Sequence, residues 1–317
     1  MAEPVIELSS LSKRYGAKLA VDRVDLTVPR GSVFGLLGPN GAGKTTTFGL
    51  VAGLLQPTSG SAAVLGTPST ELHRLRGRVA VLPQDAWFPA LVPIRAQLAH
   101  YARLMGFSGS AAVAEAERVL TEVGLQESGS LKGSQLSHGM TKRIGIAAAL
   151  IGNPEVLLLD EPTTGLDPRS AYHVKQLIAR QAPRATVLLS SHQLADVEEI
   201  CSHGAILDQG RLVRRGTMSE LTRSGQDIWF ELRLGAPLPR AELVEALGPA
   251  ITVERPAPDR LKVTHPAGTD PAKVIATVLR VLLAHEVPLL GIQRGTSLET
   301  AFMQATGGTE WSGEAAP

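Results

Sequence analysis

Along the first 30 residues apolar and polar positions partly alternate. The segments VIELSSLSKRY and AVDRVDLTV carry the period of two that half-buried antiparallel strands show. The pattern then changes to SVFGLLG, a nearly continuous apolar run that stops at glycine and meets helix-compatible residues from Lys44 to Leu55. Such a run predicts a buried central strand feeding a helix. From about Pro93 to Gly152 the period is helical: IRAQLAHYARLMG, AAVAEAERVLTEVG and TKRIGIAAALIG each place apolar residues three and four apart, predicting a helical insert. A second apolar strand, EVLLLDEP, follows, then a helix around Ala171 to Gln181, the strand ATVLLSSHQ and a helix from Leu194 to Cys201. Strands alternating with helices predict a parallel core sheet, hence an α/β fold with an antiparallel β part at its start.

GAILDQGRLVRRGT reads as a hairpin turning at Asp208, Gln209 and Gly210, and a helix from Ser219 ends at Gly225. A domain boundary falls there. Beyond it IWFELRL, AITVERP, RLKVTHP and PLLGIQR intersperse with the helical stretches RAELVEALG and AKVIATVLRVLLAH, the order of a small α+β domain. The expected organisation is therefore residues 1–225, with the helical insert over about 93–152, then an accessory α+β domain over 226–308 and a disordered tail over 309–317.

Composition narrows the function classes. A 317-residue chain that is 44% hydrophobic can bury a sizeable core. The formal net charge of +1 gives no sign of a nucleic-acid binder held by phosphate neutralisation, so no nucleic-acid partner is expected. Cys201 is the only cysteine, which excludes an internal disulfide framework and any multi-thiolate zinc site, and fits a reducing cytoplasm. The start, MAEPVIELSSLSKRYG, lacks the pattern of a signal peptide, and no stretch approaches the roughly 18 apolar residues needed to span a bilayer. A partner would have to supply any membrane part.

Between the first buried strand and its helix lies Gly38-Pro39-Asn40-Gly41-Ala42-Gly43-Lys44-Thr45, which fits G-x-x-x-x-G-K-[ST] at every fixed position. In such a P-loop the glycines let backbone N–H groups turn inward and the helix N-terminus adds positive potential. Lys44 reaches the terminal phosphates, and Thr45 ligates Mg²⁺ with Thr46 beside it. In VLLLDEP four apolar residues end in two carboxylates that alternation sends to different sides. Alone, such a pair also fits a turn or a helix cap. Beside a P-loop, Asp160 is expected to orient Mg²⁺ or its water and Glu161 to polarise the water that attacks the γ-phosphorus of ATP.

These residues resemble the ATP-binding subunits of the ABC transporter family over residues 5 to about 225. The specific motif is Leu136-Ser137-His138-Gly139-Met140, against the usual LSGGQ; Leu136, Ser137 and Gly139 match, whereas His138 and Met140 depart. The resemblance implies a P-loop NTPase cassette that closes as a head-to-tail dimer, with Ser137 and Gly139 contacting the γ-phosphate held by the opposite subunit. Read locally, Ser137 also caps the helix that follows. Gln84 in VLPQD looks like the Q-loop glutamine that touches Mg²⁺ and the attacking water. Gly165-Leu166-Asp167-Pro168 looks like the D-loop, and Ser190-Ser191-His192 like the switch whose histidine bonds the γ-phosphate and helps hold Glu161. Tyr15, 23 residues before Gly38, matches the adenine-stacking aromatic, with a half-buried strand tyrosine as the alternative.

Catalysis is thus expected at Glu161, His192 and Gln84, and metal binding at Thr45, Gln84 and Asp160. A single cassette, the LSHGM form and SLETAF near the end together resemble the ATP-binding subunits of bacterial ABC-2-type exporters, whose substrates include drugs, lipids, polysaccharides and ions. That implies ATP and Mg²⁺ as ligands, a second ATP-binding subunit and a separate transmembrane permease as partners, and a place on the cytoplasmic face of the membrane. The segment PQDAWFPALVPIRAQLAHYARLMG would form part of the groove for the permease's coupling helix. Trp87 and Phe88 there are candidates for permease contact or for ordinary packing. A soluble mechanical ATPase on ribosomes or DNA is the alternative. Its ribosomal members carry two cassettes and its repair members coiled coils or zinc modules, features this sequence lacks. A binding module with little turnover is disfavoured by Glu161 and His192.

Overall fold

The computed structural model describes residues 3–222, 227–266 and 268–295, together with Leu298 and Phe302. It forms two compact units, Met1–Thr217 and Met218–Gly307. The expected boundary near residue 225 and the expected tail over 309–317 lie outside the described residues, as does most of SLETAF; its Leu298 and Phe302 are buried.

In chain order the first unit begins β1 (Pro4–Tyr15), β2 (Lys18–Pro29), β3 (Val33–Leu37), α1 (Lys44–Val51), β4 (Ser59–Val64), β5 (Thr67–Pro68) and β6 (Val79–Leu82). The helical insert follows with α2 (Ile94–Leu104), α3 (Gly109–Glu122) and α4 (His138–Ala149). The unit finishes β7 (Val156–Asp160), α5 (Pro168–Gln181), β8 (Thr186–Ser191), α6 (Leu194–Ile200), β9 (His203–Asp208) and β10 (Arg211–Thr217). One sheet is antiparallel, in the order β2-β1-β4-β5; the other runs β10-β9-β3-β8-β7-β6, parallel except at β10.

The sequence patterns explain this layout. β3, β7 and β8 are buried at every position, which is why their apolar residues run together without alternation, as VF and LL in β3, VLLL in β7 and VLL in β8. Each fully buried leucine or valine side chain contributes roughly 1.5–3 kcal/mol, so these strands anchor whatever projects from their ends. The β9–β10 turn places Gln209 and Gly210 at φ 47 and 80, the type I′ geometry that two-residue hairpins favour. α1 stops at Val51, four residues short of the predicted Leu55. Gly53 is left-handed (φ 70), and a side chain there would lie 2.3 Å from the Ser69 carbonyl oxygen. β4, β5 and β6 were not anticipated: SGSAAV is built of small residues, and the other two are very short.

The second unit contains α7 (Met218–Thr222), β11 (Asp227–Leu232), α8 (Arg240–Leu247), β12 (Thr252–Ala257), β13 (Arg260–Thr264), α9 (Pro271–Ala284) and β14 (Leu289–Arg294). Its antiparallel sheet runs β12-β13-β11-β14. Ile228, Phe230 and Leu232 on one face of β11 share a core with Leu243 of α8 and with Val274, Val278 and Leu282 of α9. Asp270 caps α9 by accepting from Ala272 N, with proline next to it at the first helical position.

Candidate active site

The parallel register aligns the C-terminal ends of three buried strands. Leu37 of β3 pairs with Ser191 of β8, and Ser190 of β8 pairs with Asp160 of β7. The residues that follow these strand ends are therefore brought side by side.

From Leu37 the chain turns through Gly38 to Gly43 into α1. A side chain on Gly38 would lie 2.4 Å from the Leu207 carbonyl oxygen, and one on Gly43 (φ 99) 2.5 Å from that of Ala20. Gly41 (φ 82) instead faces open space, with Asn40 exposed and Pro39 half-buried before it. Gly210 N donates to the buried Ala42 carbonyl at 3.0 Å, so the β9–β10 turn braces the loop. α1 starts with no side-chain cap and no acid in its first turn, leaving its leading N–H groups to a polyanion. Thr45 is exposed on this turn and Thr46 half-buried. Lys44 is buried, and its Nζ donates to the carbonyls of Gly38 (2.8 Å) and Pro39 (3.2 Å). Burial lowers its pKa, against the opposing pull of the Glu161 and Asp160 charges.

Both carboxylates at the end of β7 are buried. The Ser190 hydroxyl donates to Asp160 Oδ1 and accepts from Glu161 N at 3.0 Å. Burial raises the Asp160 pKa, as does the neighbouring Glu161 charge, while the Ser190 bond and the two lysines, Lys44 and Lys142, lower it. Glu161 sits at φ 48, a left-handed conformation that a side chain seldom adopts and that functional turns retain. Its Oε2 accepts from Thr164 Oγ1 at 2.7 Å and lies 2.8 Å from His192 Nδ1. A carboxylate can only accept, so His192 donates from Nδ1. The carboxylate thereby faces one direction, fixed from two sides.

Ser137 caps α4, its Oγ accepting from Met140 N at 3.2 Å. Gly139 is buried against α5: a side chain there would come within 2.5 Å of Ser170 Oγ. His138 Nε2 would lie 3.2 Å from a side chain on Gly165, so the LSHGM and GLDP segments of one chain pack on each other. Asp167 caps α5 by accepting from Ser170 N. Gln84 is exposed; its backbone carbonyl accepts from Lys142 Nζ at 2.6 Å. Tyr15, at the end of β1, is 47% exposed, with Lys13 Nζ 5.3 Å from its ring centroid. Trp87 is 76% exposed whereas Phe88 is 8% exposed, so Phe88 packs inward and only Trp87 keeps an outward role. Both border a cleft of about 480 Å³ with Val81, Tyr101, Met105 and Ala149.

Lys44, Asp160, Glu161 and His192 thus meet at one sheet edge, and Ser137 and Gly139 keep to the α4–α5 side. Sequence reasoning missed Lys142. Its signal was a lysine in the apolar stripe Gly139, Lys142, Ile146, Ala149. Thr164 was missed too, with nothing to distinguish it from other turn threonines. Among the described residues no three or more His, Cys, Asp or Glu side chains cluster to cage a metal. A hard ion held by one hydroxyl and one carboxylate, with phosphate and water completing the shell, fits this donor set.

Residues 21–164 match the ABC transporter family. The linearmycin resistance ATP-binding protein of Bacillus subtilis is 33% identical over 314 residues, covering 96% of this chain and 99% of its own length. The Nod factor export ATP-binding protein I of Ralstonia nicotianae is 33% identical over 317 residues, 96% of this chain and 94% of that protein. The daunorubicin/doxorubicin resistance ATP-binding protein of Streptomyces peucetius is 38% identical over 250 residues, covering 78% and 76%. A solved structure of an ATP-binding subunit of an ABC transporter superposes with a TM-score of 0.62 at 30% identity, over 69% of this chain and 92% of that one.

Proposed function

The chain belongs to the ABC transporter family as an ATP-binding, ATP-hydrolysing subunit, and from that premise we propose that two cassettes close around Mg²⁺ATP to drive export through a separate permease. The observation that carries the reading is the clamp on Glu161, whose carboxylate is held by Thr164 and His192 at the edge that also presents Lys44 and the uncapped start of α1.

In this reading the α1 N–H groups and Lys44 take the β- and γ-phosphates. Glu161 orients the attacking water and accepts its proton, held in line by the His192 ring. Tyr15 stacks on adenine. Thr45, Asp160 and the Gln84 side chain would hold Mg²⁺, which neutralises phosphate charge and supplies electrostatic stabilisation of the transferring group. Lys44 exchanges its bonds to the loop carbonyls for phosphate oxygens. Ser137 caps α4 and Gly139 packs on α5, and in a head-to-tail pair a second cassette would bring its own copies of both to the γ-phosphate. ATP then acts as the glue of the closed pair, and loss of the γ-phosphate releases it.

The export assignment rests on relatives named for export or resistance and matched along nearly the whole chain. Among the described residues no helix is long and apolar enough to cross a membrane. In this reading the permease is a separate protein, as the relatives named as ATP-binding proteins suggest, and this chain sits against it on the cytoplasmic face. The cleft beside Trp87 is the proposed seat of the permease's coupling helix.

The test is a tagged pull-down from detergent-solubilised membranes, with ATP turnover measured with and without the captured protein. A stoichiometric multi-spanning partner that stimulates turnover is expected. A purely soluble complex with ribosomes or DNA would replace the export reading with that of a mechanical ATPase.

A further inference from the structure

The buried lysine on α4 has no role in the mechanism above, and its surroundings assign it one. Lys142 lies five residues after Ser137 on the helix that Ser137 caps. Its Nζ donates to the Gln84 carbonyl at 2.6 Å and to the Glu161 carbonyl at 3.4 Å. One ammonium group thus touches the loop of Gln84 and the backbone of Glu161 from a helix that begins at the LSHGM motif. Asp85, Glu161 and Asp160 are the acids that face it.

The Glu161 backbone needs such support. With φ at 48 it occupies a conformation that costs of order 1–3 kcal/mol unless its surroundings impose it. Ser190 holds its N–H, Thr164 and His192 hold its carboxylate, and Lys142 holds its carbonyl, with Thr164 N at 3.4 Å. A buried ammonium is costly to desolvate and is retained where its bonds matter. An apolar residue would fill the same buried stripe of α4 at lower cost.

We propose that Lys142 is a positioning residue that ties the Gln84 loop and the start of α4 to the backbone of Glu161. Displacement of the Gln84 loop then reaches the hydrolytic carboxylate through a single side chain. The proposal rests on the role given to Glu161, and the test separates the two.

Turnover at varied Mg²⁺ATP is measured for the full chain and for its Lys142→Met, Lys142→Gln and Glu161→Gln variants, together with melting temperature and amide hydrogen exchange. Methionine removes every donor at similar length; glutamine keeps an N–H₂ that reaches one carbonyl. The expected kcat falls in the order original, Gln, Met. The Met variant loses about 10-fold or more, as for a charge-assisted hydrogen bond, with KM for ATP within about 2-fold. Exchange rises in peptides covering 83–88 and 161–166 and stays unchanged in β3. A general packing role would instead raise exchange throughout the first unit. If the Met variant does not fold, the Gln variant decides alone: lower kcat at unchanged KM supports the proposal, and original kcat overturns it. Full turnover in Glu161→Gln would remove the mechanism itself, whereas its loss alongside full turnover in Lys142→Met would overturn only the tie.

Discussion

Strand β7 has an acid at each end, and the two meet opposite surroundings. Glu155, just before the strand, is partly exposed and paired with Arg78 and with Arg30, the latter at 3.3 Å. The hydrogen bond from Arg78 leads in lowering its pKa; burial opposes it, and Arg30 adds to the lowering. Asp160, at the other end, is buried, and burial drives its pKa up. Four apolar residues, Val156 to Leu159, separate an acid that helps the fold from one that the fold holds at a cost. Groups held against their solvation preference are enriched at functional sites, in line with the role proposed for this end of the sheet. The arginine-paired end is an ordinary surface.

That contrast can be broken by substitution. The largest effect is expected at the acid next to Asp160: Glu161→Gln should lower kcat by at least about 100-fold while ATP binding, followed by a fluorescent nucleotide, is kept. Loss of binding and turnover together would assign Glu161 to the nucleotide cradle instead. Asp160→Asn comes next. Its amide oxygen can still accept from Ser190, so turnover should fall by about 10-fold or more while the melting temperature stays level or rises, since a desolvated charge has been removed. A clear loss of stability would show that Asp160 serves the fold after all.

Glu155→Gln should have the smallest effect and the opposite sign. Turnover stays unchanged, and stability at neutral pH drops by under about 1 kcal/mol because the ion pairs are screened by solvent. Its folded pKa lies below the unfolded one. The stabilisation is therefore present above the ordinary glutamate range and is lost as pH falls through the depressed value. Denaturant melts of both proteins across acid pH should converge there.

Much of this edge was legible because its strands are buried on both faces. Apolar runs such as VFGLL and VLLLD can be read without partners, and the residues that follow them, Gly38 to Thr45 and Asp160-Glu161, inherit their positions. Less could be read where burial is partial or order is set by neighbours. SGSAAV forms β4 because β1 pairs with it, from Ile6↔Val64 to Ser12↔Ser59, and its own side chains give little sign of a strand. Gly139 looked like a phosphate contact, and the fold adds a reason inside the chain: Ser170 of α5 leaves no room for a side chain. Trp87 and Phe88 were indistinguishable as adjacent aromatics, and packing turned one out and the other in. Lys142 was visible as a polar residue in an apolar stripe, yet its two carbonyl partners lie 58 and 19 residues away and no periodicity encodes them.

The most direct measurement compares the two acids that flank β7, Glu155 before it and Glu161 after it, in one assay of steady-state ATP turnover by the purified full chain at saturating Mg²⁺ATP. The account predicts that Glu161→Gln is nearly inactive while Glu155→Gln matches the original protein. Equal turnover in both variants would contradict it, and would mean that the buried end of the strand is not where ATP is hydrolysed.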